Sequence, residues 1–189
     1  KPLSDTDIFK AQFYKFYKEN NRKDEFIKRW KQLEEISDKI FSSVSGSSMD
    51  ELFTRYMYYE RAKMNNKNTT TEALRKFYEK DGYSLLKKDE TLNNLEILAN
   101  FWIHVAEQND SVFSDKVLKK LSILNYAPNG MWAYLTSVYF MQNKDDSGSL
   151  DNVAFNDFLD KIIAFIWTYA IMRPGVNALR TPVYPEMIN

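Results

Sequence analysis

Helix-capping residues stand repeatedly in front of runs whose apolar side chains recur three and four positions apart, and no stretch of useful length alternates with period two. That pairing excludes a sheet protein and predicts an all-α fold, a compact multi-helix bundle of about eight helices with no significant sheet. Ser4, with Asp5 and Asp7 behind it, caps a first helix carrying Phe9, Phe13, Phe16 and Tyr17, and Asn20-Asn21 ends it. A second helix starts near Lys23 and buries Phe26, Trp30, Leu33, Ser37 and Ile40. Ser48-Met49-Asp50-Glu51 and Thr69-Thr70-Thr71-Glu72 read as capping boxes for a third helix and a short fourth. The fourth carries Leu74, Phe77 and Tyr78 and stops at Asp81-Gly82. A longer helix runs from about Asp89, Ser114 caps the next, and Met131 to Asn143 forms another after the break at Tyr126-Ala127-Pro128-Asn129-Gly130. Asp151 opens the most apolar helix, predicted to be the central core helix to Met172, with Phe155, Phe158, Leu159, Ile162, Phe165, Ile166 and Tyr169 covering most of its circumference. Pro174-Gly175 breaks it.

At 189 residues, 44% hydrophobic and 15% aromatic, the chain can bury a large core as one helical domain spanning 1–189, or as two small ones sharing a core. Its ends, Lys1-Pro2-Leu3 and Pro185-Glu186-Met187-Ile188-Asn189, read as the edges of a fragment of a larger multidomain protein. The longest apolar stretch, Ile162 to Met172, is about half of the ~20 residues a membrane span needs, so no membrane partner is expected.

The chemistry on offer is narrow. With no cysteine there is no disulfide, thiolate nucleophile or thiolate zinc site, which suits a cytoplasmic protein. His104 is the single histidine, flanked by apolar residues, and reads as a packed, hydrogen-bonded side chain. Adjacent carboxylates such as Glu34-Glu35, Asp89-Glu90 and Asp145-Asp146 point about 100° apart on a helix and share no site. No GxxxxGK[ST] or GxGxxG phosphate cradle is present. The residues therefore assign no catalytic, cofactor-binding or metal-binding position, no cofactor, and no enzyme activity to these 189 residues. The run Tyr56, Met57, Tyr58 and Tyr59 reads as core with a partly exposed edge.

Charge is balanced overall but uneven along the chain. From Arg61 to Lys88 there are eight basic and three acidic residues; from Asp89 to Asp160 there are four and eleven. The basic residues Arg61, Lys63, Lys67, Arg75, Lys76, Lys80, Lys87 and Lys88 interleave with Phe77, Tyr78 and Tyr83. That mixture is what nucleic-acid contact through phosphates would use, and it is also what a solvated or interdomain helix face looks like.

Four segments, taken in order, resemble one bacterial family. Lys1-Pro2-Leu3-Ser4-Asp5-Thr6-Asp7-Ile8-Phe9-Lys10-Ala11 resembles the segment leaving the ParB/sulfiredoxin-like domain of GmrSD-type modification-dependent restriction proteins. Trp30, Leu74-Arg75-Lys76-Phe77-Tyr78 and Ile171-Met172-Arg173-Pro174-Gly175-Val176-Asn177-Ala178-Leu179-Arg180 resemble features of the helical region that follows it. The resemblance implies a non-catalytic helical connector in a DNA restriction or phage-defence protein. Its partners would be flanking nucleotide-binding and nuclease domains of the parent chain, the parent being a nucleotide-dependent endonuclease. The family's Asp-Gly-Gln-Gln-Arg and His-Ile-x-x-Pro motifs are absent from this sequence. The residues alone leave two rivals: a nucleic-acid-binding module, and a helical protein-interaction domain of an unrelated system.

Overall fold

The computed structural model describes residues 3–41, 47–70, 72–172 and 180–188. Among them the chain forms nine α-helices and one 3-10 turn, and no strand. The helices are α1 (Asp5–Glu19), α2 (Lys23–Phe41), α3 (Ser48–Lys63), α4 (Leu74–Tyr83), α5 (Asp89–Ala106), α6 (Asp115–Leu124), α7 (Met131–Asn143), α8 (Asn152–Met172) and α9 (Arg180–Glu186); the 3-10 turn, Ser84–Lys87, lies between α4 and α5. The all-α class is as the patterning dictates. The chain divides into two compact units, the first comprising Lys1–Met57 with Thr71–Ile103 and the second Tyr58–Thr70 with His104–Asn189.

Several helix ends follow the caps. The Ser4 hydroxyl accepts from the Asp7 backbone N–H at 3.1 Å while the Asp7 carboxylate accepts from Ser4 N–H at 3.0 Å, a reciprocal box. Ser114 and Asp151 cap α6 and α8, accepting from Val117 N–H at 3.4 Å and Ala154 N–H at 2.8 Å. Two predicted boxes do not form. The carbonyl of Ser47 receives the Glu51 N–H at 3.2 Å, so α3 begins one residue earlier than expected, and the Ser48 hydroxyl donates to Asp38 instead. Helix α4 begins after Ala73, with no side-chain cap, too late for Thr69 to serve as its cap, and Glu72 pairs with Lys80 at 2.6 Å. Thr71 lies outside the described residues, as does the Pro174-Gly175 break.

In the first unit, Phe9, Phe13 and Tyr17 of α1 meet Phe26, Trp30 and Leu33 of α2, all essentially inaccessible. Phe9 lies 5.0 Å from Phe53 and 4.8 Å from Tyr78, ring centre to ring centre, and the Tyr78 hydroxyl donates to the Phe53 carbonyl at 2.8 Å. These aromatics supply area and, through offset and edge contacts, orientation. The Arg55 guanidinium lies buried between the rings of Phe41 (4.5 Å) and Trp102 (4.1 Å), and its Nε donates to Glu51 at 2.8 Å.

In the second unit, α6 and α8 pack in parallel. Asn152 at the start of α8 accepts from Ser114 N–H at the start of α6, and further along Lys120 of α6 pairs with Asp160 and donates to Asn156 Oδ1 at 2.7 Å. Helix α8 departs from the expected all-round burial. Phe155, Leu159, Ile162 and Ile166 are buried, but Phe165, Phe158 and Tyr169 are only half-buried, and Trp167 and Ile171 face outward at 37% and 81% exposure. Its apolar character is continuous; its coverage is one-sided. The buried helix of this unit is α7, where Met131, Trp132, Ala133, Leu135, Thr136, Ser137, Val138, Phe140 and Met141 are all inside.

Candidate functional site

A dense cluster of ionisable groups lies in the first unit, where α1, α2 and α5 converge. On α2 and the turn before it, Arg22, Glu25 and Arg29 follow at three- and four-residue spacing and so share a face. On α5, Asp89, Asn93 and Glu96 repeat that spacing. The two stripes interlock. Arg29 donates through Nε and Nη2 to the two oxygens of Glu96, both at 2.8 Å, through Nη2 also to Asn93, and through Nη1 to the Tyr17 hydroxyl at 3.1 Å. Arg22 forks onto Glu25 at 2.6 and 2.7 Å and reaches Asp89 at 2.6 Å, with its guanidinium 4.9 Å from the centre of the buried Tyr17 ring. Fork-to-carboxylate geometry is the strong form of such pairing.

The titrations follow from this packing. Burial, reinforced by the neighbouring Asp89, pushes the Tyr17 phenol far above its ordinary range. The Tyr17 hydroxyl and then Arg22 hold the Asp89 carboxyl below its usual range, and Arg22 does the same for Glu25. Tyr17, Glu25 and Asp89 are thus each shifted away from neutrality, deeper into their ordinary charge state. A proton-transfer residue needs the opposite, a pKa brought toward neutrality. The cluster acts as a clamp between helices.

Between α1 and α2 on the outer side of the same unit runs an open groove of about 560 Å³, floored by Phe26 and Trp30 and edged by Tyr14 and Ile27. Its charged rim is self-paired: Lys10 donates to Glu34 at 2.9 Å, and the Trp30 indole N–H donates to the same carboxylate at 2.6 Å. Among the described residues no group of three or more His, Asp or Glu side chains is placed to hold a metal ion, and no helix is long and apolar enough to cross a membrane. His104 is half-buried, and its Nδ1 shares a hydrogen bond with the Asn109 amide at 3.1 Å.

The eight basic candidates are divided between the two units. Arg61, Lys63 and Lys67 belong to the second unit; Arg75, Lys76, Lys80, Lys87 and Lys88 belong to the first. Arg61 is 5% exposed, lies 5.4 Å from the Tyr184 ring centre and donates to the Asn68 carbonyl, so it holds the loop after α3 and is withdrawn from solvent. Lys63 pairs with Glu60, Arg75 with Asp5 at 2.7 Å, and Lys80 with Glu72. Lys67, Lys76 and Lys88 are exposed, and Lys87, also exposed, donates to the Gly82 carbonyl at 2.6 Å. The Tyr17 clamp escaped sequence reading. Its local signal was the charged stripe on α2, but its partners are 67 residues away on a helix whose register against α2 no local pattern specifies.

No protein-family model, curated protein or solved structure matches this chain.

Proposed function

We propose that the chain is a non-catalytic helical connector, cytoplasmic, within a larger protein of the GmrSD-like restriction or phage-defence kind, and that it turns over no substrate itself. The observation that carries the reading is the clamp of Tyr17, Arg22, Glu25, Arg29, Asp89 and Glu96. It commits a well-organised set of polar groups to locking helices together, and Tyr17, Glu25 and Asp89 within it are shifted away from neutrality, against a role in proton transfer. A connector that transmits the state of one flanking domain to another needs such stiffness, because a compliant link absorbs a displacement instead of passing it on. The flanking nucleotide-binding and nuclease domains are the partners that the resemblance of Lys1–Ala11, Trp30, Leu74–Tyr78 and Ile171–Arg180 implies.

The test uses the full natural polypeptide. Its reading frame should encode a nucleotide-binding domain before these residues and a nuclease after them. In that protein Arg29→Ala should leave nucleotide hydrolysis near wild type while lowering nucleotide-dependent DNA cleavage at least tenfold. A frame lacking both domains, or equal loss of the two activities, sinks the reading.

A second reading, phosphate contact by the first unit, is favoured by one observation: Lys76 on α4, Lys87 on the 3-10 turn and Lys88 just after it are all exposed. Measured binding of DNA that disappears in Lys76→Glu/Lys88→Glu would establish it.

A further inference from the structure

Helix α4 ends in an unusual way. Asp81 (φ 50°, ψ 38°), Gly82 (φ 62°, ψ 43°) and Tyr83 (φ 62°, ψ 35°) are all left-handed, one after another, following Lys80 in an extended conformation (ψ 141°). Left-handed residues other than glycine normally occur singly, because Cβ crowds the following carbonyl oxygen. Two side-chain-bearing residues here bear that crowding in one turn. Such a segment persists only where its surroundings enforce it, and strained segments concentrate at clamps and switches.

Packing of the following 3-10 turn and an exposed hydrogen bond both help to hold it. Beyond the turn, Leu86 is fully buried. Across the turn, the Lys87 ammonium donates to the Gly82 carbonyl at 2.6 Å. The first is internal to the core. The second is exposed, as are Lys80, Asp81, Gly82 and Lys88 around it. One fastening that holds the left-handed turn from outside is therefore a solvent-accessible ammonium, with a second ammonium, Lys88, beside it in sequence.

We propose that residues 80–87 form an anion-responsive latch, in which a polyphosphate-type anion engages Lys87 and Lys88, withdraws Lys87 from the Gly82 carbonyl and releases the strained left-handed turn. The inference rests on the phosphate-contact reading of the first unit and adds to it a structural consequence. The driving force is local. An ammonium gains more from a phosphate oxygen than from a neutral carbonyl, and the strain stored at Asp81 and Tyr83 favours opening once the bond is gone. The ligand chemistry is a chain of phosphate groups, supplied either by a free polyphosphate or by a nucleic-acid backbone.

Hydrogen–deuterium exchange of the full chain, read on peptides covering residues 79–88, tests this, with binding followed by calorimetry in parallel. Saturating inorganic tripolyphosphate should raise exchange there roughly three- to tenfold, the range expected for loss of one hydrogen bond. A twelve-nucleotide single strand in a second arm shows whether a nucleic-acid backbone does the same; a response to either anion supports the latch. Lys87→Met should show the raised exchange without any anion and no further response, and Lys87→Arg should restore protection. Asp81→Gly, which removes the crowding at one left-handed position, should blunt the response to anion. Neither anion binding overturns both the phosphate reading and the latch. Binding with unchanged or slowed exchange in wild type, or unchanged exchange in Lys87→Met, overturns the latch alone.

Discussion

Arg29 shows how one residue can carry an interface. Its side chain is 17% exposed and satisfies Glu96, Asn93, Tyr17 and Glu25 together. Arg29→Ala should cost about 2–3 kcal/mol in urea unfolding, below the cost of breaking a fully buried pair because Glu96 keeps partial access to water. Arg29→Lys should recover little, since an ammonium cannot fork onto a carboxylate. The pH dependence has two sides. Asp89 and Glu25 are depressed in the folded state, so their contribution is present above the ordinary carboxylate range, about pH 4, and is lost as pH falls through their lower folded values. Tyr17 is raised, so its contribution is full below about pH 10, where an unfolded phenol ionises, and declines above it. Thermal melts of wild type against Tyr17→Phe should converge or cross above about pH 10; parallel curves throughout would show that the phenol is not linked to folding. Arg75 teaches the opposite lesson about reading charge from sequence. It looked like a free cation on a basic helix, yet its bond to Asp5 makes Arg75→Glu a like-charge substitution, so Lys76 and Lys88 are the positions at which to probe a phosphate surface.

At the scale of elements, the helices were legible wherever a short-range rule decided them. Ser4, Ser114 and Asp151 cap as their types dictate, and α5 and α7 begin where expected. The failures had physical rivals. The Glu51 N–H goes to the Ser47 carbonyl, which puts Ser48 inside α3 instead of at its cap, and α4 starts at Leu74, too late for Thr69 to cap it. Pro185-Glu186-Met187-Ile188-Asn189 read as a helix just starting, whereas α9 runs Arg180–Glu186 and starts earlier, since Pro182, near its start, costs no hydrogen bond. Helix α8 was overread: apolar composition around a helix says that each side tolerates burial, and the number of neighbouring elements decides which sides obtain it. Leu159→Ala should therefore cost about 2–5 kcal/mol, whereas Phe165→Ala should cost about 1 kcal/mol or less, reversing the ranking by side-chain size. Denaturant midpoints for the two variants decide it. Gly82→Ala should cost about 1 kcal/mol although a Cβ there meets no atom within 4 Å, because the strain lies in the left-handed backbone rather than in packing.

For the whole molecule, the uneven charge along the chain does not survive folding as an imbalance between the two units. The first unit holds sixteen basic and sixteen acidic side chains, and the second ten of each. The net +5 between Arg61 and Lys88 is a property of sequence order: three of its cations fall in one unit and five in the other. Long-range attraction of a polyanion is then weak, and any nucleic-acid contact must rest on a few local ammonium groups. Arg61 is buried, and Lys63, Arg75 and Lys80 are ion-paired, which leaves Lys76, Lys87 and Lys88 as the exposed cations of the first unit's basic stretch that sit outside an ion pair among the described residues. About three phosphates neutralised give a slope of log K against log salt of roughly −3 on duplex and about −2 on single strands. Fluorescence anisotropy with a labelled duplex between about 20 and 150 mM salt measures that slope, with an affinity expected near 10⁻⁴ M at the upper end. A slope steeper than about −5 would require cations from outside this stretch and would reject the three-lysine contact. A slope near −3 that falls toward −1 in Lys76→Glu/Lys88→Glu, with an unchanged melting temperature, would place the contact on α4 and the 3-10 turn, because each exposed lysine removed takes one released counterion with it.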